Sequence, residues 1–311
     1  MHMLEISIDA YAKINLALDV TGKRPDGYHN VRMVMQMIDL HDSVSIRAEL
    51  SSEPQIVLAP GRADLPAGRG NLGYLAAEIF MKETGLAIKT VIEIEKRIPA
   101  AAGLAGGSTD AAAVLLGLNA IFKTGLSITD LMRIGVRIGA DVPFCVMGNA
   151  AAGNLDPDGS SSSCALAEGI GDILTPLKPK DAKGPFPVLT ELFLVLTKPP
   201  IDVPTAKVYQ ALDLRTIGKR PDTSELIDGL MENDLEKVTG NMINILENVT
   251  LKEYPIVMYT KNNLLDTKPI VALMSGSGPS IFGIFKEKSK AEDAWRIMAG
   301  SNAETYLVRT K

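Results

Sequence analysis

The sequence predicts a two-domain protein that mixes strands and helices, with a glycine-rich turn feeding a buried helix. Three observations carry this reading. At 311 residues the chain is long enough for a full core and for a second domain. Leu4–Val20 alternates with the period of a strand, whereas Asn71–Thr84 carries helical spacing. Between the strand-like Thr90–Lys96 and the apolar Ala111–Phe122 lies the run Pro99, Ala100, Ala101, Ala102, Gly103, Leu104, Ala105, Gly106, Gly107, Ser108, Thr109, Asp110.

In Leu4–Val20, Ala12, Ile14, Leu16 and Leu18 share one strand face, read as the core side. Lys13 and Asn15 share the other face, where an exposed surface or a polar function would account for them. Thr21–Asn30 reads as a polar loop whose turn signal, Arg24-Pro25-Asp26-Gly27, is followed by the ring side chains Tyr28 and His29. Two strands are expected next, Val31–Asp39 and Asp42–Leu50. Asn71 can cap the following helix and Gly85 can end it. After the glycine turn, Ser127 and Asp130 form a capping box for a helix ending at Gly139. Ala140-Asp141-Val142-Pro143 then leads into a short apolar strand, so Asp141 would follow a helix end and oppose its dipole.

Asn149–Ser163 is small and polar and reads as a flexible surface loop. Its Asp156-Pro157-Asp158-Gly159 lacks the remaining ligand positions of a calcium loop. A second domain is expected from about Thr175, giving domains at 1–174 and 175–311. It holds a strand at Glu191–Leu196, helices at Thr205–Leu212, Ser224–Met231 and Leu235–Leu246, and a loop, Met274–Ser280, before the strand Ile281–Phe285. That last loop contains Ser275-Gly276-Ser277-Gly278, which is a hairpin turn or a second glycine loop packed on the first.

A glycine turn between strand and helix leaves backbone N–H groups unpaired at the positive end of the helix dipole, which suits phosphate. Glycines let the phosphate approach without Cβ collisions. No lysine precedes Ser108 or Thr109, so this is not a Walker A loop, and no G-x-G-x-x-G can be laid on it. The plain alternative is a capped helix, with Ser108 or Thr109 as N-cap and Asp110 complementing the dipole.

A formal net charge of −5 argues against a nucleic-acid binder, so local groups must hold any anionic ligand. Two cysteines, Cys145 and Cys164, provide neither metal-site spacing nor a disulfide framework, in keeping with a reducing cytosol. No apolar run reaches transmembrane length and no leader pattern precedes the first strand, so a cytoplasmic protein is expected.

Three segments together resemble the GHMP kinases, in order and spacing: Ala12-Lys13-Ile14-Asn15, Pro99 to Thr109, and Ser275-Gly276-Ser277-Gly278. Within that superfamily, Arg24-Pro25-Asp26-Gly27-Tyr28-His29, Gly139-Ala140-Asp141-Val142-Pro143-Phe144 and Ala167-Glu168-Gly169-Ile170-Gly171 are similar to the diphosphocytidyl-methylerythritol kinases. The resemblance covers nearly the whole chain. It implies an α+β, two-domain GHMP kinase fold with an S5-like N-terminal domain and a ferredoxin-like C-terminal domain, and a catalytic cleft between them.

The resemblance also implies the chemistry: ATP, with Mg2+, would phosphorylate the 2-hydroxyl of a cytidine diphosphate-linked polyol. Asp141 would be the base and Lys13 its partner, holding Asp141 ionised and stabilising the attacking oxygen. Pro99, Ala100, Ala101, Ala102, Gly103, Leu104, Ala105, Gly106, Gly107, Ser108 and Thr109 would hold ATP. Ser108 would contact either the metal or the phosphate. Asn15 would orient the polyol, Tyr28 would stack on the cytosine, His29 would read its edge, and Thr205 and Tyr209 would complete the pocket. Monomer or homodimer, without nucleic acid or membrane partners, is the implied state. Asn149–Ser163 and Lys178–Leu192 are longer than in the family. The alternatives are another GHMP small-molecule kinase, which Asp26-Gly27-Tyr28-His29 disfavours, a non-catalytic nucleotide sensor, which the pair Lys13 and Asp141 disfavours, and an S5-like nucleic-acid-binding module, which the acidic balance and the glycine loops disfavour.

Overall fold

The computed structural model describes residues 3–153, 155–156, 159–179, 186–190, 192–301 and 304–311. Contacts divide the chain into two compact units. One holds Met1–Ala12, His41–Ala100 and Ala105–Ser163; the other holds Lys13–Leu40, Ala101–Leu104 and Cys164–Lys311. The division therefore does not fall at one point in the chain, because the first two strands are long enough to contribute to both units. They are β1, Leu4–Lys23, and β2, His29–Leu50.

The expected pair Val31–Asp39 and Asp42–Leu50 is thus one continuous strand, since His41 interrupts the apolar pattern without breaking the backbone. The expected loop at Thr21–Asn30 is correspondingly shorter. The first unit continues with β3 (Gln55–Ala59), α1 (Leu72–Thr84), β4 (Ile88–Glu95), α2 (Gly106–Phe122), α3 (Ile128–Val136) and α4 (Val142–Ala152). The second half of β2 runs antiparallel to β4, from Ser43 opposite Glu95 to Leu50 opposite Ile88, and β3 runs parallel to β4. Asn71 caps α1 by accepting from Gly73 N–H, Gly85 ends it in the left-handed region, and Ser127 with Asp130 forms the expected capping box of α3. Gly117 of α2 has a packing reason. A Cβ there would lie 2.4 Å from Ile46 Cδ1, so the helix lies directly on the sheet.

Three expectations fail in this unit. The helix after the glycine turn starts at Gly106 rather than Ala111, so Ser108, Thr109 and Asp110 lie inside it and none is its N-cap. The segment after Asp141 is helix α4 instead of a strand. Pro143 in the first turn and the alanines at 150–152 suit a helix, and burial of the Phe144–Met147 turn holds it. Asn149 and Ala150 belong to that helix and are buried, as are Ser161, Ser162 and Ser163, so Asn149–Ser163 is not a surface loop throughout. Asp158, from the incomplete calcium motif, lies outside the described residues.

The second unit adds β5 (Cys164–Glu168), β6 (Ile173–Leu177), α5 (Pro187–Thr190), β7 (Phe193–Lys198), α6 (Thr205–Ala211), α7 (Thr223–Glu232), α8 (Leu235–Gly240), α9 (Glu247–Glu253), α10 (Pro255–Asp266), β8 (Val271–Met274), β9 (Ile281–Phe285), α11 (Lys288–Ala299) and β10 (Glu304–Val308). Helix α8 ends six residues before the expected Leu246, where Asn241 caps it. Glu191, the expected start of β7, lies outside the described residues. β5 pairs antiparallel with Met33–Gln36 of β2 and with β6. A second, wholly antiparallel sheet has the order β10-β7-β9-β8, with α10 and α11 packed on it. This is the split β-α-β-β-α-β arrangement expected of a ferredoxin-like domain. The architecture is α+β. Among the described residues no helix is long and apolar enough to cross a membrane.

Candidate active site

In the first unit, α2 starts from Ala105, whose φ of 60° is left-handed and whose side chain provides no cap. The first helical bond at this end runs from Thr109 N–H to Ala105 C=O, at 2.9 Å. The amides of Gly106, Gly107 and Ser108 precede it and so have no carbonyl within the helix. Open amides at a helix start are the feature on which the expectation of phosphate binding rests. Thr109 is fully buried and its hydroxyl faces inward, donating to Tyr11 C=O and accepting from Asn149 Nδ2, each at 2.7 Å. Asn149 Oδ1 in turn accepts from Tyr11 N–H at 2.9 Å. Thr109 therefore braces the helix, and the hydroxyl left at the open end is that of the half-buried Ser108.

Asp141 occupies the N-cap position of α4 and is half-buried. Its side chain makes no capping bond, although its carbonyl accepts from Cys145 N–H at 3.1 Å. An acidic group at a helix start agrees with the local dipole, the reverse of the expected clash.

In the second unit, Lys13 and Asn15 are buried, 4% and 0% exposed, so their strand face is covered and not solvated. Lys13 Nζ donates to Asn15 Oδ1 at 2.9 Å. The same oxygen accepts from Gly276 N–H at 3.0 Å, and Asn15 Nδ2 meets Met33 Sδ at 3.2 Å. Lys13 N–H donates to Leu104 C=O at 3.2 Å, and Ser275 Oγ donates to Gly103 C=O at 3.0 Å. The Lys13 strand, the middle of the first glycine loop and the Ser275–Gly278 loop are thus laced together, as expected of a second glycine loop. Gly103 has a φ of 74°, and a Cβ there would lie 2.2 Å from Ser275 C=O. Only glycine fits that approach. Asn244, which sequence reasoning missed, donates to the carbonyls of Met274 and Gly276 at 2.8 and 2.7 Å and fixes this loop from behind. Its sole sequence signal is an asparagine in the otherwise apolar run Met242–Leu246.

The aromatic group assembles only in part. His29 and Tyr209 rings lie 5.3 Å apart at a tilt of 40°. Tyr28 is 59% exposed and is not part of that pair. Thr205 Oγ1 and Ser277 Oγ share a hydrogen bond of 2.9 Å. Burial, with help from the Lys23 charge, lowers the His29 pKa below its ordinary value, which disfavours the protonated ring.

The helix end with its open amides, the buried Lys13–Asn15 pair and the Ser275–Gly278 loop are the three segments in which the sequence resembles the GHMP kinases. Residues 71–149 match the GHMP kinases N terminal domain, and residues 220–303 match the GHMP kinases C terminal domain. Together they span more than half of the chain. The chain belongs to the GHMP kinases. Over 308 residues it is 42% identical to the 4-diphosphocytidyl-2-C-methyl-D-erythritol kinase of Alkaliphilus metalliredigens, covering 99% of this chain and 97% of that one. The corresponding protein of Acetivibrio thermocellus is also 42% identical, with 99% and 100% covered. A crystal structure of a 4-(cytidine 5'-diphospho)-2C-methyl-D-erythritol kinase superposes with a TM-score of 0.75 at 28% identity, covering 98% of this chain and 99% of that one. Homoserine kinase from Cytophaga hutchinsonii shares the GHMP kinase fold, with a TM-score of 0.70 at 19% identity and 98% and 94% covered.

Proposed function

We propose that this GHMP kinase transfers the γ-phosphoryl group of ATP to the 2-hydroxyl of 4-diphosphocytidyl-2-C-methyl-D-erythritol, in the methylerythritol phosphate route to isoprenoid precursors. The observation that carries the substrate is the 42% identity over 99% of the chain to kinases of that name. The geometry agrees with it: Lys13 and Asn15 are buried polar groups on a strand otherwise devoted to core, which phosphoryl transfer to an alcohol can use and packing alone does not need.

In this reading the segment 1–174 carries the nucleotide loop, Pro99 to Thr109, and the segment 175–311 contributes Thr205 and Tyr209 to the acceptor site. The open amides of Gly106, Gly107 and Ser108 hold the phosphates, with Thr109 bracing the helix beneath them. Asp141 takes the hydroxyl proton as the acceptor oxygen bonds to the γ-phosphorus and the bond to the β-phosphate oxygen breaks, releasing ADP. Lys13 stabilises the charge developing on the acceptor oxygen, and Asn15 orients the polyol. Mg2+ would come with ATP and supply charge neutralisation on its phosphates. The Ser108 hydroxyl is the protein oxygen suited to join it or to meet a phosphate.

His29 and Tyr209, whose rings already touch, would meet the cytosine together from one side, His29 at its edge and Tyr209 at one face. Tyr28, on its exposed turn, would add a second stacking face when substrate is bound. The enzyme would act in the cytoplasm as a monomer or homodimer. The test is ADP release with diphosphocytidyl-methylerythritol, mevalonate and homoserine as acceptors. Turnover with the first alone is the expected result; equal turnover with all three would remove the substrate assignment.

A further inference from the structure

Beneath the nucleotide loop three charged side chains are buried together. The Asp42 side chain is fully buried, and those of Lys96 and Asp110 are 6% and 5% exposed. Lys96 Nζ donates to Asp42 Oδ2 and, at 2.8 Å, to Asp110 Oδ2. The other Asp42 oxygen accepts from the N–H groups of Arg97 and Ile98, at 2.5 and 2.8 Å. Those are the last two residues before Pro99, where the loop begins. Asp110 stands on α2 just past Thr109, where the loop has ended.

Charges buried in this way carry a desolvation cost that an apolar cluster would avoid, so the question is what the arrangement fixes. It joins the two ends of one loop. The entry is held through the backbone of Arg97 and Ile98, the exit through Asp110, and Lys96 links the two carboxylates. The loop also rests on this bridge: a Cβ on Gly106 would lie 3.1 Å from Ile98 Cγ2 and 3.4 Å from Lys96 Nζ. A side chain would thrust into the bridge, and glycine lets the open amides sit directly above it.

We propose that Asp42, Lys96 and Asp110 are positioning residues for the nucleotide loop, a buried bridge of two carboxyl groups joined by one ammonium that sets the spacing of the Gly106, Gly107 and Ser108 amides before ATP arrives. The proposal rests on the reading that this loop holds the ATP phosphates. Burial pushes the Asp110 carboxyl up to about 7, while Lys96 pulls it down and Asp42 adds to the rise. Burial likewise opposes the Lys96 charge, but Asp110 and Asp42 outweigh it and raise the ammonium above its ordinary value. The lysine therefore remains the charged link.

Asp110→Ala cuts the tie to α2 and leaves a neutral Lys96–Asp42 pair that can stay folded. It should weaken ATP binding in calorimetry about tenfold, by loss of preorganisation, and raise the KM for ATP with it. The KM for the acceptor should stay within about twofold. Asp110→Leu fills the volume without an acceptor oxygen and should behave alike. Asp110→Asn keeps an oxygen for Lys96 and should retain ATP affinity within about twofold. Gly107→Val serves as the control that blocks the loop itself. Wild-type ATP affinity in folded Asp110→Ala and Asp110→Leu, with affinity lost in Gly107→Val, overturns the bridge as a positioning device, as does an equal rise of both KM values. Wild-type affinity in Gly107→Val as well would show that the nucleotide reading of the loop is what failed.

Discussion

The amide oxygen of Asn15 accepts from two donors at once, the Lys13 ammonium at 2.9 Å and the Gly276 N–H at 3.0 Å. One side chain thereby aims the lysine and anchors the Ser275–Gly278 loop. Asn15→Ala should cost about 1–3 kcal/mol of stability, because Gly276 N–H loses its acceptor in a buried setting. It should also lower kcat, since Lys13 is no longer aimed. Lys13→Met should lower kcat by about 10²–10³-fold through loss of charge stabilisation in the transition state, with ATP affinity nearly unchanged. Urea unfolding and steady-state kinetics check both. Wild-type kcat in Lys13→Met would remove the lysine from the chemistry.

Asp141→Asn should reduce kcat by about 10²–10⁴-fold while calorimetric ATP affinity holds. The substitution is nearly isosteric and so mild for packing. A melting curve like that of the wild type should accompany the loss. If kcat survives in the folded variant, another group takes the proton.

Two glycines at the start of α2 should respond differently to the same substitution. A Cβ on Gly107 meets only Leu72 side-chain atoms, the nearest at 3.6 Å, whereas one on Gly106 presses on Ile98 at 3.1 Å. Gly107→Val should therefore weaken ATP binding by more than about tenfold with little change in melting temperature. Gly106→Val should weaken binding and lower the melting temperature together, through overpacking of about 1–3 kcal/mol. Calorimetry with thermal unfolding separates the two effects. An unaltered ATP affinity in Gly107→Val contradicts phosphate binding at these amides.

Motif residues were legible because each is short-range: the glycine turn, the capping box at Ser127 and the alternation that isolates Lys13 and Asn15 can be read from neighbours in the chain. Burial of Lys13 and Asn15 was not, because the face they occupy is covered by Met33 and Gly276, the latter 261 positions from Asn15. The start of α2 was misjudged because Gly106 and Gly107 are poor helix formers, overridden by packing against α1 and α4. Asp42 and Lys96 gave no signal, since a charged residue near a strand end usually faces water. The pairing of His29 with Tyr209 is likewise tertiary.

His29 provides a pH test of the cytosine assignment. Its lowered pKa means that the folded protein disfavours the protonated ring. The stability it contributes is full above the ordinary histidine value and is lost as pH falls through the lowered one. The same proton would turn a neutral ring, donor on one side and acceptor on the other, into a donor on both. The KM for the cytidine substrate should therefore rise as pH falls through that lowered value, below the ordinary midpoint of about 6.5, while the KM for ATP stays level. His29→Ala should flatten that profile and raise the cytidine-substrate KM by an amount equivalent to about 1–3 kcal/mol. A wild-type KM that ignores pH, or a variant impaired for ATP instead, would detach His29 from the base.

Asn149 marks where a polar segment becomes structural. By composition Asn149–Ser163 could be removed at little cost, since loop length is a weak entropic term. In the fold, however, Asn149 is 1% exposed, accepts from Tyr11 N–H at 2.9 Å and donates to Thr109 Oγ1 at 2.7 Å. It ties α4 to β1 and, through Thr109, to the first turns of α2. Asn149→Ala would leave the Tyr11 amide without an acceptor in the core, at a cost of about 1–3 kcal/mol. Thr109 would keep its bond to Tyr11 C=O but lose its second partner, so the nucleotide helix should loosen as well. The expected outcome is a lower urea midpoint and a modestly weakened ATP affinity. Removing Ala150–Ser162 should be far worse, because it deletes Ala150, the last buried residue of α4, and two of the three buried serines. If that deletion melts like the wild type, the buried end of α4 contributes nothing to the core, and the small polar composition would have been the better guide.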